Sequence, residues 1–522
     1  MRGPRYRRSY RSGYLPPAPA NEADGYVYSL PPPIGGWNTA RAPVMMPQTD
    51  ALVLDNIYPD INDIRLRGGI SEWADGLSGG WVRSFLKYVG GSSSKLFAST
   101  DSGIYDVTLT GTVGAAASSC TNGDWEYSNL ANSGGTYLIA VNGVDAAKLY
   151  NGSTWSATTI SGVTDSNLNN VVLFKRRLWF IEKNTMNAWY LAADAIGGAA
   201  TVFRFGPVFT KGGHLIAQFV WSIDGGNGLD DYLVTVSSEG EIAVYGGTDP
   251  ASSSTFALVG TYDVGVPLGK KCFVKYGGDV LYLSTRGIFP LSRLLISTNR
   301  SEAISQKIDD AFKSSSSLYK TNIGWQGVIY PEVNALIVNV PLVEETTYYQ
   351  YVMNDVTKSW CRFTGWNLHS FVVFNDALYA GGDGKVYLSW VGSTDDGEPI
   401  SGISAQAYSN YGQGRQKQPT LIRPVLNILG TATVLARIDA DFKNMIDNSV
   451  MSLNFNGNTA LWDTAVWDES VWSGEEGDIE SKWAAVPGEP GYLHSLRIQI
   501  TTSSGELSWK GTNVLCRGAG VL

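Results

Sequence analysis

The chain has 522 residues, a formal net charge of −9, 17% charged residues and 12% aromatic residues. This length accommodates two to four ordinary domains, or one large β-domain with appendages. The low charged fraction and the many aromatic residues exclude wholesale disorder. The 59 glycines follow no three-residue period, which excludes collagen and indicates many tight turns. Net acidity argues against a general nucleic-acid-binding protein.

Residues 1–40 are predicted to be an extended arm, because they are rich in Arg, Tyr, Pro and Gly and offer little to bury. The first eleven residues contain five arginines and no acid: Arg2, Arg5, Arg7, Arg8 and Arg11. This cluster predicts an arm that docks onto an acidic neighbour or contacts nucleic-acid phosphates; the alternative is a solvated tail. No apolar stretch follows the arginines, so no secretory signal peptide is expected.

Residues 41–80 are predicted to be a segment that closes or flanks the domain that follows. They contain a short helical or turn segment at 50–56 and a strand at 64–66.

Residues 81–390 read as a series of short strands separated by Gly, Asn, Asp and Ser clusters, as in a sandwich, barrel or propeller. A strand–polar turn–Gly–strand hairpin recurs, and its turns carry a charged residue and a nearby glycine: Asp101, Gly103, Glu239, Gly240, Arg286, Gly287, Asp383 and Gly384. The spacing fits units of roughly 46–48 residues, typical of propeller blades. We therefore predict an all-β protein with a β-propeller of about seven blades (six to eight). A pair of β-sandwiches is the alternative.

Residues 391–522 are predicted to form a separate, C-terminal β-sandwich-like domain. Strands are expected at 425–429, 433–438 and 496–500. Three tryptophans spaced five residues apart suit neither a strand nor one helix face, and they predict a looped aromatic ladder: Trp462, Trp467 and Trp472.

The sequence contains no motif that predicts a catalytic, metal or cofactor site. The four cysteines lie far apart without a CxxC, which predicts buried thiols, and the three histidines form no metal-binding motif. The GxSxG match at 76–80 precedes a strand rather than a helix, so it is not a nucleophile elbow. Residues 265–270 are one residue too short for a phosphate-binding loop and are predicted to be a turn. No apolar run is long enough to span a membrane.

Several blocks of the sequence resemble the tail-hub or nozzle proteins of short-tailed bacteriophages. The most specific is Thr49-Asp50-Ala51-Leu52-Val53-Leu54-Asp55-Asn56-Ile57-Tyr58-Pro59. The others are Ile34–Thr39, Arg65–Gly69, Leu173–Phe180, Val280–Ser284 with Arg286-Gly287, and Leu496–Ile500. The resemblance covers roughly residues 31–500, and the N-terminal arginines fall outside it.

The resemblance implies a structural virion protein without enzymatic activity, assembled in the host cytoplasm. Members of this family form a hexameric ring below the portal and adaptor, near tail fibres or spikes, and they retain and conduct double-stranded DNA. An acidic or neutral lumen would let DNA slide, because Lys and Arg would bind its phosphates. Two alternatives remain: a receptor-binding propeller of the tail, and a propeller enzyme that degrades host glycans.

Overall fold

The structure is a computed structural model that describes residues 25–91, 93–224, 229–294, 302–443, 451–456, 478–486 and 488–519. Two sequence predictions therefore lie outside the described residues. These are the role of the arginine cluster (Arg2, Arg5, Arg7, Arg8 and Arg11) and the aromatic ladder (Trp462, Trp467 and Trp472).

Seven antiparallel units of three or four strands form a closed ring, so the predicted all-β propeller is confirmed with seven blades. Neighbouring blades contact each other through their innermost strands, and the inner strand of blade 7 contacts that of blade 1. From inner to outer strand, blades 1 to 3 are Ser84–Val89, Ser94–Ser99, Gly103–Asp106, Ser118–Ser119; Glu126–Asn132, Gly135–Val141, Lys148–Tyr150, Trp155–Ala157; and Leu168–Phe174, Arg177–Glu182, Asn187–Tyr190, Thr201–Arg204.

The remaining blades follow the same order. Blades 4 to 6 are Leu215–Asp224, Leu229–Ser237, Glu241–Gly247, Phe256–Asp263; Phe273–Tyr276, Asp279–Ser284, Gly287–Pro290; and Gln326–Tyr330, Ala335–Val343, Thr347–Asn354, Trp360–Phe363. Blade 7 is Ser370–Phe374, Ala377–Gly381, Val386–Val391 and, as its outer strand, Gly69–Asp75. The ring is thus closed by a strand that lies before blade 1 in the sequence.

Apolar and aromatic side chains fill the wedges between blades. Between blades 3 and 4, Trp179, Phe203, Phe205, Tyr245 and Phe256 pack as one cluster, with Phe203 edge-on to Tyr245 at 5.3 Å between ring centroids. Large rings suit this position because the wedge widens away from the axis and only a bulky side chain bridges it. Burial of such rings supplies most of the driving force for stacking blades.

The C-terminal strands pair into two sheets that face each other across a shared apolar core, as a sandwich does. One sheet contains Tyr26–Leu30, Ile57–Pro59, Ile64–Leu66, Lys417–Ile428, Asp478–Glu480, Ala484–Ala485 and Leu507–Gly518. The other contains Gly36–Trp37, Asp50–Asp55, Glu398–Gln406, Thr431–Ala440, Met451–Asn456 and His494–Ser504.

N-terminal strands are therefore part of the sandwich, and two sequence-based assignments change. The strand Tyr26–Leu30 pairs with Leu507–Gly518, so the part of the predicted arm that the structure describes belongs to this domain. The predicted helix or turn at 50–56 is wrong: Asp50–Asp55 is a strand that pairs with Glu398–Gln406. Its backbone hydrogen-bonds to a partner about 350 positions away in the sequence, a contact that a local pattern does not reveal.

The remaining elements are short. Two α-helices, Leu291–Leu294 and Asp309–Tyr319, and four 3₁₀ turns, Pro43–Met45, Asp165–Asn167, Gln306–Ile308 and Pro331–Val333, occur in the described residues. The other short strands of the described residues are Gly111–Thr112, which pairs with the outer strand of blade 7, Ile160–Ser161, which pairs with Gly198–Ala199, and Thr394–Asp395, which pairs with Glu398–Gln406. The longer helix has 11 residues, whereas a membrane span needs about 20, and none of the described helices can cross a bilayer.

The propeller and the sandwich are joined by backbone pairing, Gly36 with Trp360 of blade 6 and Asp395 with Ile70 of blade 7, and by a buried arginine. The Arg67 side chain is 1% exposed and forms two hydrogen bonds with the Asp395 carboxylate, of 2.7 and 2.6 Å. Its Nε donates to Asn56 Oδ1 at 2.9 Å, and its guanidinium stacks on the Trp366 ring at 4.7 Å. A second pair, between Arg362 of blade 6 and Asp55 of the sandwich, is also bidentate. Such planar, two-point contacts fix orientation.

Candidate functional site

The predicted blade turns all lie at one end of the propeller. In blades 1, 4, 5 and 7 they join the second and third strands, and each lies next to a connection between blades. Asp101 Oδ1 accepts a hydrogen bond from the Gly123 backbone N–H at 2.8 Å. The backbone of Asp383 forms an isolated antiparallel β-bridge with that of Trp81. Because strands alternate in direction, these turns share an end with the connections that enter each inner strand.

Not all turn residues play the same part. Arg286 pairs with Asp263 at 3.1 Å, which ties the turn of blade 5 to the last strand of blade 4. Glu239 and Asp383 are exposed. The structure thus places the predicted charged turn residues on one rim but does not gather them into a single site.

A cluster that the sequence did not predict lies where the inner strands begin, around the axis of the ring. We call it the axial mouth and define it as Arg83, Asp124, Lys270, Lys271 and His369. These residues come from blades 1, 2, 5 and 7 and line a cavity of about 130 Å³.

Arg83 connects two blade turns across blade 7. Its Nη2 lies 2.8 Å from Asp101 Oδ2 in blade 1 and 2.6 Å from Glu345 Oε1 in the turn of blade 6. Its Nε is buried and has no hydrogen-bond partner among the residues that the structure describes. An unpaired buried donor costs free energy, and it is the remaining, 19% exposed part of the side chain that lines the cavity.

Lys270 and Asp124 bridge the axis. The Lys270 ammonium lies 3.0 Å from Asp124 Oδ2 and donates to the Asp124 carbonyl oxygen at 2.6 Å. Burial would raise the pKa of Asp124, but Lys270 and Lys271 outweigh it, and the pKa lies below its usual value. Asp124 therefore stays ionised, and the pair holds blades 2 and 5 together across the ring.

His369 and Glu126 complete the electrostatics of the mouth. His369 Nδ1 shares a 2.8 Å hydrogen bond with the Tyr348 hydroxyl. Burial and the nearby Lys271 lower the pKa of His369 to about 4, so the His369 imidazole is neutral at pH 7. One layer deeper, burial raises the pKa of Glu126 against the opposing effect of Lys270 and Lys271, and Glu126 Oε1 has no hydrogen-bond partner in the described part of the chain.

The sequence contained one signal for this cluster. Lys270 and Lys271 directly follow the turn at 265–269, just before the inner strand of blade 5. Consecutive charges entering a strand that must line the axis are a reason to examine the residues at the same position in the other blades.

Two observations limit the chemistry. Across the described ranges, no three His, Cys, Asp or Glu side chains are grouped closely enough to hold a metal ion. All four cysteines are buried and free, which confirms the prediction of buried thiols.

No protein-family model and no curated protein sequence matches the chain. Among solved structures, the chain is similar to the computationally designed Ika8 protein, with a TM-score of 0.36 and 10% identity over 62% of this chain and 100% of that one. The β-propeller domain of Cps50 (Swd1) from Myceliophteria thermophila gives 0.39 and 11% over 60% and 98%. A glycoside hydrolase family 43 arabinoxylan arabinofuranohydrolase from Bacillus subtilis gives 0.21 and 8% over 87% and 96%. Likenesses this weak carry no argument about function.

Proposed function

We propose that this chain is a structural subunit of a short-tailed bacteriophage tail, a hub or nozzle that assembles into a hexameric ring below the portal and adaptor. The ring retains the genome and conducts double-stranded DNA during ejection, and tail fibres or spikes attach nearby. In this proposal the chain has no catalytic activity, is assembled in the host cytoplasm and ends up in the virion.

The observation that carries the proposal is the way the propeller and the sandwich are joined into one rigid structure. A strand from residues 69–75 closes the propeller, the preceding N-terminal strands complete the sandwich, and the Arg67–Asp395 pair locks the joint. The blocks Ile34–Thr39 and Thr49–Pro59, on which the resemblance depends, contribute strands to this joint. A part that bears load between neighbouring rings needs this kind of rigidity.

Under this proposal, the axial mouth restricts where a DNA channel can lie. The Lys270–Asp124 pair spans the propeller axis with a 3.0 Å contact, which closes the bore to anything as wide as a DNA duplex. DNA therefore cannot pass through the propeller of one subunit. In the proposed nozzle, the DNA channel therefore lies between subunits, at the centre of a ring of copies.

Exposed acids on the rim give a way to test the channel. If Glu239 and Asp383 face the lumen, each becomes a ring of six charges that repels DNA phosphates. We expect Glu239→Gln with Asp383→Asn to slow DNA ejection while virions assemble normally. The control is Glu332→Gln, an exposed acid at the opposite ends of the strands of blade 6. Unchanged ejection kinetics, or equal slowing in the Glu332→Gln control, would refute the hypothesis that these acids line the lumen and repel DNA.

Location is the direct test of the proposal as a whole. Negative-stain images of intact particles labelled with an antibody to this chain should show the label at the tail, below the head. Label on distal fibres would instead favour receptor binding. The same purified chain should leave capsule and lipopolysaccharide intact, and hydrolysis abolished by one Asp or Glu substitution would establish the enzyme alternative.

A further inference from the structure

The axial mouth contains more positive charge than its own fold uses. Four cationic side chains line its cavity: Arg83, Lys270, Lys271 and Lys320. Lys270 is neutralised by Asp124, and two Nη2 contacts of Arg83 satisfy Asp101 and Glu345. Lys271 and Lys320 form no ion pair within the described residues.

The donors left over point to an acceptor that the protein does not provide. Lys271 has only a long, 3.5 Å contact with the Arg83 carbonyl oxygen, which is at the limit of a hydrogen bond. Arg83 Nε is buried and has no partner in the described ranges. Lys271 is half-buried and the Arg83 side chain is 19% exposed, so an anion in the cavity can reach both residues.

The cavity is large enough for such a molecule. Its volume is about 130 Å³, and a single water needs roughly 10–15 Å³ measured in the same way. A tetrahedral oxyanion fits this space. It also has enough oxygen atoms to accept bonds from Arg83, Lys271 and Lys320 on different sides.

We propose that the axial mouth binds a phosphate-bearing anion, either inorganic phosphate or the phosphate group of a small monoester, through the exposed part of the Arg83 guanidinium, Lys271 and Lys320. The neutral His369 lines the same cavity and adds no repulsion. Glu126, whose Oε1 has no hydrogen-bond partner among the described residues, lies a layer deeper and lines a second cavity of about 180 Å³ together with Lys271. The site belongs to a single chain and does not depend on ring assembly.

Isothermal titration calorimetry of the full chain at low ionic strength tests the site. Inorganic phosphate and glycerol phosphate are the two probes, and sodium chloride is the blank. We expect one phosphate per chain, and weaker binding as salt rises. Tighter binding of glycerol phosphate would identify a monoester as the ligand class, and preference for inorganic phosphate would identify the free ion.

The variants separate a built site from general attraction to positive charge. Lys271→Ala should weaken binding by about tenfold or more, the size of one lost charge-assisted hydrogen bond. Lys320→Ala, at an exposed position that tolerates truncation, should also weaken it. Lys275→Ala is the matched control, an exposed lysine on the inner strand of the same blade, and should bind as the unmodified chain does.

Three results would overturn the proposal. They are no binding of phosphate at millimolar concentration to the unmodified chain, undiminished binding to both Lys271→Ala and Lys320→Ala, or an equal loss of phosphate affinity in Lys275→Ala. Because the measurement uses the isolated chain, these results are independent of where the protein is located in a virion.

Discussion

The Arg67–Asp395 pair offers the sharpest test of how the propeller and the sandwich are joined. Replacing Asp395 with Ala removes both carboxylate oxygens that bind the Arg67 guanidinium, whose side chain is 1% exposed, and it also removes the acceptor of Trp366 Nε1 at 3.1 Å. Arg67 would then be a buried charge without a counter-charge. Breaking a buried ion pair in this way typically costs about 3–5 kcal/mol.

We therefore expect Asp395→Ala to lower the free energy of unfolding by about 3–5 kcal/mol, measured by urea denaturation with tryptophan fluorescence. Lys95→Ala is the control, because the Lys95–Asp106 pair is about one-third exposed, and such surface pairs contribute about 0–1 kcal/mol. The double variant Arg67→Met with Asp395→Ala should recover part of the loss, since no unpaired charge remains. A loss no larger than that of the control would refute the reasoning.

Three further predictions concern pH, backbone and thiols. Burial lowers the pKa values of His369 and His494 to about 4, so the unfolded chain binds more protons than the folded chain between about pH 6.5 and 4. The free energy of unfolding should therefore fall as pH drops through that window. A free energy of unfolding that stays constant there would contradict this. Gly240→Ala should destabilise the protein by about 1–3 kcal/mol in urea denaturation, because φ is +81° and a Cβ would lie 2.4 Å from the Gly265 carbonyl carbon; an unchanged midpoint would contradict it. Burial raises the pKa of Cys272 to about 12, so native protein should resist thiol reagents at pH 7 until it is unfolded, and rapid labelling of native protein would contradict it.

The propeller could be predicted because its signals are local. Each hairpin places its strands and its polar turn within about ten residues, so the pattern at 96–105 or 281–289 is complete in one stretch of sequence. The two assignments that changed depend on distant partners. Asp50–Asp55 is a strand because Glu398–Gln406 lies beside it, and Tyr26–Leu30 is held by the last strand of the chain.

The axial mouth could not be predicted for the same reason. Arg83, Asp124, Lys270 and His369 are spread over almost 300 positions in the sequence, and each occupies an unremarkable place before a strand. Only the sevenfold ring brings those places together. Glycines and charged turns mark where blades turn, but they do not mark what meets at the axis.

The most direct test of the central claim, that this chain is an architectural ring subunit, is a cryo-electron microscopy reconstruction of the tail from purified particles. We expect six copies of the seven-bladed propeller and sandwich around an open channel that is wide enough for a DNA duplex. Each propeller axis should be closed by its own ion pair. A tail without this chain, or copies with no common channel between them, would contradict the account.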